Sequence, residues 1–175
     1  MNENAKREAW SWIKSLLIAL VIVFICREFI FTPVKVEGKS MMPTFEDNNR
    51  IIVSKISKLE HLDMIVFHSP VSSENYIKRL IGMPGDVVEV KDDTLFINGK
   101  KYEEPYLKAN KQMIPFKQHL TEDFKVTVPN GSLFVMGDNR RNSSDSREFG
   151  FIAKKAVIGE VKFRFYPLRE VGMPH

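Results

Sequence analysis

Leu95-Phe96-Ile97-Asn98-Gly99 is a short apolar run that stops at Asn-Gly, the dipeptide best suited to a two-residue hairpin turn because both central positions of that turn need positive φ. A hairpin here predicts antiparallel pairing, and the flanking sequence reads the same way. Val34 to Glu37 alternates apolar and charged residues. Arg50 to Val53, Met64 to Phe67, Tyr76 to Ile81 and Val87 to Val90 are short and rich in β-branched residues. Further on, Lys125 to Val128, then Pro129-Asn130-Gly131, then Leu133 to Met136 reads as a second hairpin with a longer turn. Val157 to Tyr166 reads as a last strand or pair of strands, with Gly159 as the place for a bend. The expected fold is mainly β, an antiparallel β-sheet domain. Tyr102 to Asp123 has weak periodicity, several lysines and two prolines, and reads as an excursion or surface insertion. Repeats and low-complexity tracts are not found.

The residues before Thr32 have a different pattern. Ile13 to Phe31 is the longest apolar region, with an uncharged middle from Ser15 to Cys26. Trp10 and Trp12 flank one end, Phe29 and Phe31 the other, and Lys14 and Arg27 lie where long side chains reach an interface. Nineteen helical residues cover about 28 Å, close to the hydrocarbon thickness of a bilayer. A cleavable leader would need small residues after the apolar run, whereas Arg27-Glu28-Phe29-Ile30-Phe31 is bulky and charged. The reading is an uncleaved transmembrane helix, with residues 1–12 as N-terminus, 13–31 as anchor and 32–175 as the β domain. Lys6, Arg7 and Lys14 precede the span and Arg27, Lys35 and Lys39 follow it, so charge alone does not orient it.

Composition narrows the partners. The chain has 175 residues, with 26 basic against 22 acidic side chains spread along it, unlike the clustered patch of a nucleic-acid binder. A phospholipid surface fits that mild positive charge better. The single cysteine, Cys26, lies in the apolar run and has no intramolecular partner. No HExxH or paired-cysteine pattern points to a metal, and nothing calls for a cofactor.

Three polar runs could carry chemistry. In Gly38-Lys39-Ser40-Met41-Met42-Pro43-Thr44 a serine stands between a glycine and a proline turn, just after a strand. In Tyr76 to Asp86 two adjacent cations, Lys78 and Arg79, must point to opposite faces of one strand, and alternation does not say which face is buried. A desolvated lysine loses its proton more readily and can then serve as a base. Lowering its pKa from about 10.4 to about 8 costs roughly 3 kcal/mol. The third run, Gly137 to Gly150, is dense in short polar side chains and Asp–Arg pairs. The four histidines are scattered and there is no G-x-S-x-G, so a Ser-His-Asp site has little support. Ser11-Trp12-Ile13-Lys14 matches S-x-x-K, but it sits at the mouth of the apolar run without that family's other motifs.

Ser-Met-x-Pro-Thr beyond an apolar span, Tyr-x-Lys-Arg-x-x-Gly-x-Pro-Gly-Asp, and Gly-Asp-Asn-Arg-x-Asn-Ser-x-Asp-Ser-Arg follow one another in that order. As a set they resemble the motifs of bacterial type I signal peptidases, of the Gram-positive kind. The resemblance implies a membrane-bound serine endopeptidase that removes signal peptides from exported preproteins, with Ser40 as nucleophile and Lys78 as general base. It further implies that Ser143 orients the lysine, that Asp145 and Arg147 form a supporting ion pair, and that the Ser40 N–H lines the oxyanion hole. The topology it implies is single-pass in the cell membrane, with the N-terminus cytoplasmic and the β domain outside. Two positions depart from the pattern. Gly38, in the oxyanion region, stands where some members have a serine whose hydroxyl adds a second donor, and Arg141 stands where some have aspartate.

Two competing readings remain. One is another Ser–Lys peptidase, such as a self-cleaving repressor-like domain, although no cleavage site is apparent before Ser40. The other is a non-catalytic, membrane-tethered β module.

Overall fold

The computed structural model describes residues 3–115 and 118–174. Helix α1 (Glu3–Ile25) passes through a π-helical turn (Cys26–Ile30) directly into β1 (Phe31–Lys35). The apolar run expected as one span over 13–31 is therefore divided: its helix ends at Ile25, and Phe31 is already paired with Ser54. Among the described residues no helix is long and apolar enough to cross a membrane. From Arg7 to Ile25 the helix is nevertheless exposed all round, with Trp12 at 78% and Phe24 at 65%. Lys55 ties its end to the β domain, donating from Nζ to Glu28 O (2.6 Å) and from its backbone N–H to Ile30 O (2.8 Å). A cation at the carbonyl end of a helix is favourable.

The strands that follow are β2 (Arg50–Ser54), β3 (Met64–His68), β4 (Asn75–Gly82), β5 (Val87–Lys91), β6 (Thr94–Ile97) and β7 (Lys100–Tyr102). After a 3₁₀ turn (Pro105–Leu107) and the short helix α2 (Lys108–Gln112) come β8 (Phe124–Thr127) and β9 (Ser132–Met136). The one-turn helix α3 (Ser146–Phe149), β10 (Ile152–Ala153) and β11 (Val157–Tyr166) complete the domain. All pairs are antiparallel, in two sheets ordered β1-β2-β11-β3-β4-β9-β10 and β7-β6-β5-β8. The mainly β, antiparallel expectation therefore holds.

Asn98 and Gly99 form the expected turn, with φ of 53° and 77° and Ile97 opposite Lys100. The second expected hairpin does not form. β8 pairs with β5 in the small sheet, while β9 pairs with β4 and β10 in the large one. Pro129 can donate no ladder bond, and Val128 N–H is taken by Asp86 O (2.8 Å), so the chain crosses between sheets here. The bend at Gly159 is a register irregularity in β11, which leaves β3 and continues along β2.

Three apolar clusters hold these layers. Val36, Ile51, Val53, Val66, Ile77 and Val161 cover one face of the large sheet, and Ile65, Phe67, Leu80, Leu133 and Val135 the other. Ile81, Phe134 and Met136 meet Val88, Val90, Leu95 and Ile97 between the two sheets. Gly82 sits at that junction, where a Cβ would lie 2.6 Å from Val88 Cγ2.

Candidate active site

The Ser40 loop leaves the end of β1 without a ladder of its own and is held from outside. Gly38 turns it at φ +85°, and its N–H donates to Asp47 Oδ1 (2.9 Å). Asn139 clips it twice, from N–H to Ser40 O (3.0 Å) and from Nδ2 to Lys39 O (3.0 Å). Thr44 Oγ1 donates to Asp138 Oδ2 (2.5 Å). Met41 and Phe45 anchor the loop in the core.

Lys78 meets that loop from β4. Its Nζ lies 2.6 Å from Ser40 Oγ, and this is its one hydrogen bond among the described residues. It is 4% exposed. Burial lowers its pKa from the ordinary 10.5 to about 8, because the ammonium loses hydration. Asp145 and Asp138 pull the value back up, and Arg147 offsets them. About a tenth of such lysines are neutral at pH 7, against fewer than one in a thousand for an ordinary one. A neutral lysine at this distance can accept a proton from the Ser40 hydroxyl.

Arg79 points the other way and is equally buried at 4%. It donates from Nε and Nη2 to Asp138 Oδ1 and Oδ2 (2.9 and 2.6 Å) and from Nη1 to Leu62 O (2.8 Å). Two adjacent buried cations are thus accommodated differently: one by a bidentate carboxylate, the other by a lowered pKa that makes its charge easier to lose.

Asp145 is fully buried. Its oxygens accept from Arg147 Nε and Nη2 (2.8 and 2.7 Å) and from Gly137 N–H (2.9 Å), and it caps α3 through Arg147 N–H (3.2 Å). The cationic and hydrogen-bonded surroundings hold its carboxyl below the usual range despite burial. Ser143 is brought beside the Ser40 loop but makes no hydrogen bond to Lys78. A Cβ on Gly137 would lie 2.2 Å from Ser143 Oγ and 2.5 Å from Ser40 O. The Ser143 hydroxyl is buried and has no hydrogen-bond partner among the described residues. It favours the Asp145 anion by proximity, without bond geometry. Likewise, no partner takes the Ser40 N–H among the described residues.

Next to the dyad is a groove of about 570 Å³, lined by residues 34–40 and 73–78 over Ile51, Val66 and Ile77. The β4–β9 pairing runs from Arg79 to Gly82, so Asn75 to Lys78 keep an open strand edge beside it. Asp92, His119 and Asp123 come within mutual reach of a metal ion, but all are exposed and none bonds to the dyad.

Sequence reasoning singled out Ser40, Lys78, Ser143, Asp145, Arg147 and Gly38 but passed over Asn139, Asp138 and Thr44, although they lie in the same quoted runs. Residues 102–123 are not a mere surface excursion. Leu107 is fully buried, Tyr106 stacks on Arg79 (3.7 Å), and Glu104 pairs with Arg140, whose Nε donates to Gly137 O (3.0 Å).

Comparison with known proteins places the chain in a family. Residues 9–166 match the family described as signal peptidase, peptidase S26. The chain belongs to this family. It is 46% identical to a signal peptidase I of Bacillus amyloliquefaciens over 97% of this chain and 93% of that one. It is 45% identical to signal peptidase I S of Bacillus subtilis (97% and 96% covered), and 42% to signal peptidase IB of Staphylococcus aureus (94% and 93%). The crystal structure of a signal peptidase I from Enterococcus faecalis superimposes with a TM-score of 0.59 at 43% identity, covering 60% of this chain and 97% of that one. The activity is accordingly that of a serine peptidase removing signal peptides, and the readings as a repressor-like or non-catalytic module give way.

Proposed function

We propose that this signal peptidase cleaves preproteins with Ser40 as nucleophile and Lys78 as general base. The observation that carries the assignment is the 2.6 Å contact of a buried, depressed-pKa lysine with a serine hydroxyl. Neutral Lys78 takes the Ser40 proton as Oγ attacks the scissile carbonyl. The oxyanion forms at the unpartnered Ser40 N–H. The Lys78 ammonium then protonates the leaving amine, giving an acyl-enzyme and freeing the base. Lys78 next deprotonates a water, which releases the acyl group and restores Ser40. Gly38 shapes the oxyanion region rather than adding a donor, since it has no side chain and its N–H is taken by Asp47. Asp145 and Arg147 set the field at Lys78. The Ser143 hydroxyl, buried beside the Ser40 loop and without a partner among the described residues, supports its role in orienting the ammonium.

The open edge of Asn75 to Lys78 supports binding of the signal-peptide end as an added strand, with side chains toward the apolar floor. Ser40→Ala and Lys78→Ala are each expected to abolish cleavage of a model preprotein in detergent while the chain stays folded. Full processing by either variant would sink the assignment.

Residues 13–31 are assigned as a single anchor in the cell membrane, with 1–12 cytoplasmic and 32–175 outside. Its support is the surface of α1 from Ser15 to Ile25, which bears no charge and is exposed at every position. The uncharged stretch Ser15–Cys26 covers only about 18 Å of helix, so Lys14 and Arg27 must reach outward from the hydrocarbon edge. An anchor holding enzyme beside membrane-bound substrate raises effective concentration. Flotation with phospholipid vesicles, with and without residues 3–25, tests this: a full chain left at the bottom of the gradient contradicts it.

A further inference from the structure

Besides its core anchors Met41 and Phe45 and the bonds of Thr44 to Asp138 and Arg164 at its far end, the Ser40 loop has two external attachments beside the serine. One comes from Asn139, within the loop that follows β9. The other comes from Asn110 in α2, part of the segment between β7 and β8. The Asn110 Nδ2 group has two donor hydrogens, and they go to two different loops. One reaches Met42 O at 3.2 Å, two residues past Ser40, and the other Asp138 O at 2.8 Å, one residue before Asn139. Met42 O has no other donor among the described residues. A single carboxamide therefore bridges the loop carrying the serine to the loop carrying its clip.

The bridge is rigidly backed. Five residues of helix are too few to hold themselves in water, so the place of α2 is set by what surrounds it. Leu107 is fully buried just before it, and Tyr106 lies flat on the Arg79 guanidinium at 3.7 Å. Glu104 pairs with Arg140. Arg79 is in turn bound to Asp138 and lies next to Lys78 in β4. Ahead of α2 the segment is thus fixed to the strand of Lys78 and the loop of the clip, while Asn110 takes hold of the Ser40 loop.

We propose that Asn110 is a positioning residue for the peptidase reaction, holding the Ser40 loop at its working distance from Lys78 by donating to Met42 O and Asp138 O. It touches neither reacting atom. Without the bridge, the loop keeps Asn139 at Ser40 and the Thr44 bonds at its far end, and the Ser40–Met42 stretch between them can shift. Ser40 Oγ then drifts from Lys78, and water reaches the ammonium. Small misplacements of a reacting group are costly, with about 1 Å enough for about a hundredfold in rate. Hydration of Lys78 also removes the cause of its lowered pKa.

The inference rests on the Ser40–Lys78 assignment, and its test separates the two. Asn110→Asp keeps the shape and removes the donors, and Asn110→Ala removes both. The full chain is assayed in detergent on a model preprotein, beside Ser40→Ala, Lys78→Ala and the exposed neighbour Lys108→Ala. Both Asn110 variants are expected to lose about 10- to 100-fold in kcat with KM within about threefold, and the midpoint of the kcat/KM pH profile is expected to move above about 8. Lys108→Ala is expected to match the parent. A kcat within twofold of the parent, or a lower kcat with the pH midpoint unmoved, overturns the role of Asn110 and leaves the dyad standing. Activity in Ser40→Ala or Lys78→Ala overturns the dyad itself.

Discussion

Asp145 binds Arg147 through both carboxylate oxygens, at 2.8 and 2.7 Å, and so is held in an ion pair of its own beside Lys78 rather than paired with it. Lys78 senses both partners with opposite sign, Asp145 raising its pKa and Arg147 lowering it. The pair orders the loop while its two charges act on Lys78 in opposite directions.

Arg147→Met is therefore expected to raise the Lys78 pKa, because Asp145 loses its counter-charge. One unit upward leaves about a tenth of the neutral lysine at pH 7, so kcat/KM there should fall about tenfold while the alkaline plateau is kept. The double variant Asp145→Asn with Arg147→Met should return the midpoint toward about 8. Profiles that coincide for all three proteins would show that the pair has no electrostatic role.

The pH profile of the parent follows from the same group. Below about 8, kcat/KM should rise close to tenfold per unit as Lys78 deprotonates, and it should level above. A midpoint near 6.5 would instead implicate a histidine.

Stability carries the opposite signature. The folded-state pKa of Lys78 lies below its unfolded value, so the unfolded chain binds more protons between about 8 and 10.5 and stability rises with pH across that window. At neutral pH the cost is at most about 3 kcal/mol, from about 1.4 kcal/mol per unit. Lys78→Met should remove it. The expected outcome is an inactive protein, more stable than the parent at pH 7, whose advantage fades as pH approaches 10.5. Chemical denaturation at several pH values measures this.

Gly137→Ala should be among the most damaging single changes. The added methyl meets Ser40 O at 2.5 Å and Ser143 Oγ at 2.2 Å. The Ser143 side chain can rotate, but the Ser40 carbonyl belongs to the nucleophile's own backbone. Overpacking of this kind costs about 1–3 kcal/mol, and kcat should fall more than a hundredfold by displacement of Ser40. Near-parental kcat would contradict the close packing of the two loops.

Asp138→Ala leaves the Arg79 guanidinium buried and unpaired, a loss of about 3–5 kcal/mol. Removing both charges, as Arg79→Met with Asp138→Leu, should be milder than Asp138→Ala alone. Thermal unfolding of the two variants decides the order.

Much of this molecule is local in origin and could be read along the chain. The Asn98-Gly99 turn, the antiparallel class, the bend at Gly159 and the candidate pair Ser40 and Lys78 depend on residue type and near neighbours, which a sequence displays directly. The partners of distant segments do not. β8 and β9 flank a turn-like Pro129-Asn130-Gly131 yet join different sheets, because Val128 N–H finds Asp86 O and Phe134 finds the core between the sheets. Nor did alternation reveal that Lys78 and Arg79 are both buried. That is settled by whether a carboxylate lies within reach on each face, and only folding brings Asp138, 59 residues away, to Arg79 while leaving Lys78 to a serine 38 residues away. The role of residues 102–123 was invisible for the same reason: Tyr106 and Asn110 act through groups that no spacing along the chain connects. Sequence alone determined which side chains could do the chemistry. The tertiary structure decided which of them are desolvated, and desolvation is what makes a lysine a base.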